Sequence, residues 1–288
     1  MPESQERRFL VDGLNICAKQ WRSTGIPAIA LHGWLDNAAS FDALASALPE
    51  LQLLALDMPG HGLSDHKPAS GNYAIWDDLR FVLAIAEQMG WPQFLLLGHS
   101  RGAIMASLLA AAAPERISHL ICVDGLLPEP QDPTDFTVQL GRYLKDFGQA
   151  SRGDKGHGSF AEAVAVRRAV TPMSDVAARL IVARGSYRDA AGRVFWRSDR
   201  RLKLASPVKL SVAQLQATMS AITAPSLLIV ADQGFGRWQS KLPLGLMAKF
   251  EVHTIVGEHH CHMDAQALEM AEWIRSFLSR NGVEEDED

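Results

Sequence analysis

Apolar residues along the chain fall into short continuous runs separated by longer stretches of helical periodicity. Ala28–Leu31, Leu51–Leu56, Phe94–Leu97, Leu120–Val123, Leu227–Val230 and Val252–Val256 are each too short for a helix and are bounded by Gly, Pro or polar residues. Such runs predict strands buried on both faces. Between them the patterns Ser40–Ala47, Ile75–Met89, Ala103–Ala113 and Ala265–Ser279 predict helices. Strands alternating with helices predict a parallel sheet with helices on both faces. Ahead of this series, Phe9–Val11 and Asn15–Ala18 flank Asp12-Gly13, a hairpin signal, so the sheet is expected to begin with an antiparallel edge.

The alternation stops between Pro128 and Ile222. Pro128, Pro130 and Pro133 exclude a helix interior there, because each removes a backbone donor and clashes with the preceding turn. Helical patterns follow at Asp135–Phe147, Ser159–Arg168, Ser174–Arg184 and Ser211–Ala221, with a strand-like stretch at Gly192–Trp196. The expected organisation is a core of residues 8–127 and 223–280, interrupted after the sixth strand by a helical insertion, 128–222, placed to act as a lid. The acidic tail, 281–288, is expected to be a solvated end.

Charge narrows the range of partners. The 33 acidic and 28 basic residues include five acids in Glu284–Asp288, so the body is balanced at 28 to 28. That leaves no electrostatic footprint for nucleic acid. No apolar run approaches the ~20 residues of a membrane helix, and Met1–Arg8 lacks the apolar core of a secretory signal. Three scattered cysteines, Cys17, Cys122 and Cys261, fit reduced thiols. A cytoplasmic protein acting on a small molecule, away from membrane and nucleic acid, is the expectation.

The chemistry centres on Phe94–Gly102, where an apolar strand runs into Gly98-His99-Ser100-Arg101-Gly102 and an alanine-rich helix follows. A Gly-x-Ser-x-Gly sequence is common by chance. With a strand before it and a helix after it, it describes a serine held on a sharp turn at a helix N-terminus, where backbone N–H groups stabilise a developing oxyanion. A second donor is expected from the loop after an earlier strand, at Trp34 in His32-Gly33-Trp34, to pair with the N–H of Arg101. The competing structural reading makes His32-Gly33 a turn and Trp34 a core residue.

A serine hydroxyl needs a base, and histidine has a suitable pKa. In the order serine, acid, histidine the base follows the last strand, where the chain reads Gly257-Glu258-His259-His260-Cys261-His262-Met263-Asp264. His259 and His260 are both candidates. His259 is preferred because it comes first after the turn, leaving Asp264 to open the final helix. The same cluster contains His260-x-His262-x-Asp264, half of a zinc motif, but no His or Cys follows His262 to complete it. The acid is Asp124, directly after Leu120–Val123, or Asp232, after Leu227–Val230. Asp124 is preferred because it leaves its strand just ahead of the insertion, and because position 234, further along the other loop, is glycine. Asp57 precedes the serine, and its segment Leu56–Gly62 reads as a structural turn.

Together these motifs resemble the α/β-hydrolase superfamily. The segments carrying the likeness are His32-Gly33-Trp34, Asp57–Asp65, Gly98–Gly102 and the terminal histidine cluster. More narrowly, Leu31–Ala38, Val123-Asp124-Gly125 and Gly257–His262 look like the serine hydrolase-like branch, near the epoxide hydrolases and haloalkane dehalogenases. The resemblance spans roughly residues 8–280. It implies a triad of Ser100, Asp124 and His259, an oxyanion hole from the N–H groups of Trp34 and Arg101, and hydrolysis of a small-molecule ester without metal or organic cofactor. Ser100 departs from the aspartate nucleophile of the epoxide hydrolases and dehalogenases. Arg101 departs from the apolar residue or Gln common after the nucleophile. A binding protein that keeps the fold without catalysis is the alternative reading.

Overall fold

The computed structural model describes residues 4–147, 155–235 and 249–282. Eight strands form one sheet in the order β1-β2-β4-β3-β5-β6-β9-β10. They are β1 (Gln5–Val11), β2 (Leu14–Trp21), β3 (Ile26–Leu31), β4 (Leu51–Leu56), β5 (Phe94–His99), β6 (Ile117–Val123), β9 (Ser226–Ala231) and β10 (Phe250–Ile255). The hairpin β1–β2 is antiparallel and joins β4 antiparallel. From β4 to β10 every pairing is parallel. The tight turn that joins the hairpin places both Asp12 and Gly13 at positive φ, as such turns require.

Side chains of successive strand residues alternate between two packed faces. Ile29 and Leu31 of β3 join Leu54, Leu56 and Leu96 in one core. Ala28 and Ala30 join Leu53, Leu95 and Leu97 in the other. The first core is covered by α2 (Ile75–Gln88), α3 (Arg101–Ala112) and α7 (Val212–Ala221), the second by α1 (Asp42–Ala47) and α8 (Gln266–Arg280). Burial on both faces is why the strands read as continuous apolar runs with no polar alternation. Among the described residues no helix is long and apolar enough to cross a membrane.

Between β6 and β9 lie α4 (Phe136–Phe147), α5 (Phe160–Val170), α6 (Asp175–Gly185), the two-stranded ribbon β7 (Ser186–Arg188) and β8 (Val194–Trp196), and α7. The serines expected to open α5, α6 and α7 do so. Ser159, Ser174 and Ser211 each accept the third backbone N–H of their helix, and Gln214 completes a capping box with Ser211. Helices α5 and α6 share a small core with Val194 and with Met263 of the histidine loop. Arg184 of α6 reaches the fully buried Asp57 with nitrogens 2.9–3.0 Å from its oxygens. Asp57 also accepts the N–H groups of Ala38 and Leu63, which bears out the structural turn read there. The expected opening of the last helix by Asp264 does not occur. Its carboxylate accepts the hydroxyl of Ser174 at 2.6 Å, so α8 starts at Gln266 without a side-chain cap. Residues 283–288 of the acidic tail lie outside the described residues.

The strand order reverses at β3, which has β4 on one side and β5 on the other. At such a reversal the loops at the carboxyl ends of neighbouring strands diverge and leave a crevice. Ser100, Asp124 and the loop through Trp34 and Asp36 all leave strands at that end.

Candidate active site

Ser100 sits between β5 and α3 at φ 54°, ψ −117°, a conformation few residues other than glycine adopt. Two close approaches enforce it. A Cβ on Gly98 would stand 2.4 Å from the Ala103 backbone, and one on Gly102 would stand 1.9 Å from the carbonyl oxygen of Leu31. Only glycine lets α3 fold back so tightly over β5 and press against the end of β3. The amide of Ser100 donates to the carbonyl of Val123, and its carbonyl accepts from Ile104. Ser100 itself is half-buried. Among the described residues its hydroxyl makes no hydrogen bond, and such bonds commonly tighten only when substrate is present.

Asp124 and His259 meet. His259 Nδ1 lies 2.5 Å from Asp124 Oδ2, with the carboxylate fully buried and the imidazole nearly so. Asp124 also accepts the N–H groups of Phe235 at 2.9 Å and Ala231 at 3.2 Å. Burial alone would raise the carboxyl pKa. The hydrogen bond and charge of His259 and the Phe235 N–H outweigh that and hold it below the usual range. Burial pushes the His259 pKa below that of free histidine, with Asp124 pulling the other way. Nδ1–H donates to the carboxylate, so Nε2 is the nitrogen left free to take a proton.

A Cβ on Gly234 would stand 2.1 Å from Asp124 Oδ2. The carboxylate from the end of β6 thus occupies the space that a side chain at position 234, after β9, would enter. Asp232 faces elsewhere and accepts the N–H of Gly257 at 2.9 Å, tying the loop after β9 to the loop after β10.

The other histidines pack around this pair. His99 Nε2 donates to the carbonyl of His259 at 2.9 Å, linking the residue before Ser100 to the histidine loop. His260 Nε2 lies 3.1 Å from Asp36 Oδ2. His262 packs against His99 with ring centroids 4.0 Å apart and the rings tilted by 35°. Burial, reinforced by His99 and His260, drives the His262 pKa well down. The half-motif His260-x-His262-x-Asp264 is not assembled, since Asp264 turns to Ser174. The ligand atoms of Asp36, His99 and His260 lie within 4.8 Å of one another and are the one group of metal-ligand type among the described residues. Asp36 already bonds a guanidinium there, from Arg167.

The loop after β3 lies against α3. A Cβ on Gly33 would stand 3.0 Å from His99 Nδ1. The indole of Trp34 is exposed and donates to the carbonyl of Leu202 at 2.9 Å, so Trp34 is not a core residue. The N–H of Arg101 belongs to the first turn of α3, where it has no intrahelical acceptor. The Arg101 side chain runs away from the turn to the buried Asp78 of α2, 2.8 Å away. Beyond it lies a cavity of about 280 Å³. Its walls include Ile75 and Trp76, Ile104 of α3, Tyr143 of α4, and Leu204 and Leu210 of the insertion. This cavity and the buried Asp36 network left no signal in the sequence, because both are assembled from segments more than a hundred residues apart.

Comparison with known proteins agrees with this architecture. Residues 27–264 match the model of the α/β-hydrolase fold family. A serine hydrolase-like protein of Danio rerio is 28% identical over 84% of this chain and 78% of its own. Serine hydrolase-like protein 2 of Homo sapiens is 27% identical over 95% and 93%. A serine hydrolase-like protein of Dictyostelium discoideum reaches 43% identity over 42% of this chain, a match spanning 35% of that relative. Among solved structures, the hypothetical protein PA1622 of Pseudomonas aeruginosa PAO1 superposes with a TM-score of 0.90 at 37% identity, over 96% of this chain and 99% of its own. The chain belongs to the α/β-hydrolase family, in its serine hydrolase-like branch.

Proposed function

We propose that the protein is a serine esterase using Ser100 as nucleophile, His259 as base and Asp124 as the acid that orients it. The observation that carries this reading is the bond between buried Asp124 and His259 Nδ1, which fixes one tautomer and leaves Nε2 basic. In the proposed reaction Ser100 Oγ attacks the acyl carbon as its proton passes to His259 Nε2. The N–H groups of Trp34 and Arg101 hold the oxyanion. His259 returns the proton to the leaving alkoxide, and water, deprotonated in turn by His259, releases the acid from Ser100. No step calls for a metal or organic cofactor. The helical insertion is proposed to cover this site as a lid.

The cavity supports a substrate class. Arg101, its nearest charge to Ser100, is neutralised by Asp78. An apolar cavity of about 150 Å³ holds benzene, so the 280 Å³ here has room for an acyl group of about ten heavy atoms, with Glu129, Lys209 and the Asp199-paired Arg201 also on its walls. Labelling by a fluorophosphonate tests the mechanism. The parent protein is expected to react and Ser100→Ala to be inert, with ester hydrolysis down about a thousandfold or more. Across p-nitrophenyl esters, kcat/KM is expected to peak near octanoate. Hydrolysis retained in Ser100→Ala would end the proposal, and a peak at acetate would end the assignment of the cavity.

A further inference from the structure

Asp36, on the loop after β3, is fully buried, and it is shared by four parts of the fold. Its Oδ1 bonds Arg167 Nη2 of α5 at 2.5 Å, and its Oδ2 bonds His260 Nε2 at 3.1 Å. Oδ2 also lies 3.7 Å from His99 Nδ1, on the residue before Ser100. The Asp36 N–H donates to the carbonyl of Gly33, closing the loop that presents Trp34. Arg167 is 4% exposed, and its Nε and Nη1 have no hydrogen-bond partner among the described residues. A buried guanidinium held by one carboxylate is a poor source of stability compared with an apolar residue of the same size, and such pairs are best accounted for by what they hold in register.

We propose that Asp36 and Arg167 are positioning residues for hydrolysis. Arg167 seats the one carboxylate that ties the oxyanion loop to the segments carrying Ser100 and His259, and the pair together sets the charge around His259. This rests on the reading of His259 as the base. Through Arg167, the seating of the inserted helices is coupled to the geometry of the reacting groups.

The titratable groups around His259 come from every neighbouring element. Asp124 faces it from β6, His99 from β5 and Asp36 from the loop after β3, while His260, Cys261 and His262 follow it and the exposed Glu258 precedes it. The Cys261 thiol is pushed up by burial to about 12 and stays neutral. Asp36 and Arg167 therefore act on this environment with opposite signs. Removing the carboxylate makes protonation of His259 harder, and removing the guanidinium makes it easier.

The test compares Asp36→Asn, Arg167→Gln and the double variant with the parent, by kcat and KM against pH on an uncharged p-nitrophenyl ester. The acid limb is expected to move to lower pH in Asp36→Asn and to higher pH in Arg167→Gln. It should return to the parent position in the double variant, each shift being at least about 0.3 unit. In all three, kcat is expected to fall about tenfold or more with KM little changed, as loosened register predicts. A merely structural pair would move both limbs the same way or not at all, and either result overturns the proposal. Should a single variant fail to fold, the double variant, which removes both charges of the pair together, decides. An unshifted limb with kcat at least tenfold down supports the positioning role, and parental kcat refutes it. If the parent is not labelled at Ser100 by fluorophosphonate, the esterase reading itself has failed and this proposal falls with it. Labelling with limbs unmoved in both folded single variants sinks the positioning role alone.

Discussion

Replacing Asp124 by Asn separates the two candidate acids. Asp124 Oδ2 takes both His259 Nδ1–H and the Phe235 N–H. An amide at this position has one acceptor oxygen. If that oxygen keeps the backbone N–H of Ala231, the amide nitrogen faces His259 and forces Nδ1 to become an acceptor. The proton then sits on Nε2, and the nitrogen proposed to take the Ser100 proton can no longer accept one. The same replacement in a well-studied triad costs about ten-thousandfold in turnover, equivalent to about 5 kcal/mol of transition-state stabilisation. A loss of that order is expected for Asp124→Asn. At position 232 the outcome differs, because Asn can still accept the Gly257 N–H through its amide oxygen. Asp232→Asn is expected to keep turnover within a factor of about two and stability within about 0.5 kcal/mol. The assay is kcat on p-nitrophenyl octanoate, corrected for folded fraction by near-ultraviolet circular dichroism. A larger loss in Asp232→Asn than in Asp124→Asn, at matched folding, would refute the reasoning.

Burial lowers the pKa of His259, and as the proposed base it must be neutral to accept a proton. Activity is therefore expected to hold as pH falls through 6.5 and to decline only below it; a limb centred above 7 in a pH profile of kcat/KM would contradict this. Gly234→Ala places a Cβ into the Asp124 carboxylate and is expected to cut kcat about a hundredfold, with unchanged turnover as the refuting result. Ser174→Ala loses the cap of α6 and the bond to Asp264. A loss of about 1 kcal/mol, read as a fall in Tm of roughly 3 °C, is expected by calorimetry.

The sheet was legible because its strands are short, apolar and buried on both faces, and the helices between them carry their own punctuation. Ser159, Ser174 and Ser211 marked helix starts in the insertion to the residue, since capping is a local interaction between a side chain and the next turn. Boundaries were less sharp where strand ends carry polar residues. β5 continues through Gly98 and His99 because pairing with β6 extends to Val123, and β1 begins at Gln5 because its partner β2 runs on to Trp21. The ribbon strand β7 had no local pattern; it exists through its pairing with β8.

At the site, the sequence alone supplied the strained serine, since the elbow is written in adjacent residues and needs only Gly98 and Gly102 to form. It narrowed the partners without choosing between them. Asp124 and Asp232 leave adjacent parallel strands at the same end, so strand order cannot say which carboxylate reaches the imidazole. Tertiary structure made that choice through a missing side chain: Gly234 vacates the space on one loop that Asp124 enters from the next. It likewise separated His259 from His260, which are adjacent in sequence yet turn their rings at 90° to different carboxylates, Asp124 and Asp36. Arg167 and Asp36 stand 131 residues apart and carried no signal. Local interactions are written in neighbouring residues, whereas a buried charge is identified by its partner, and only the folded chain brings the partner to it.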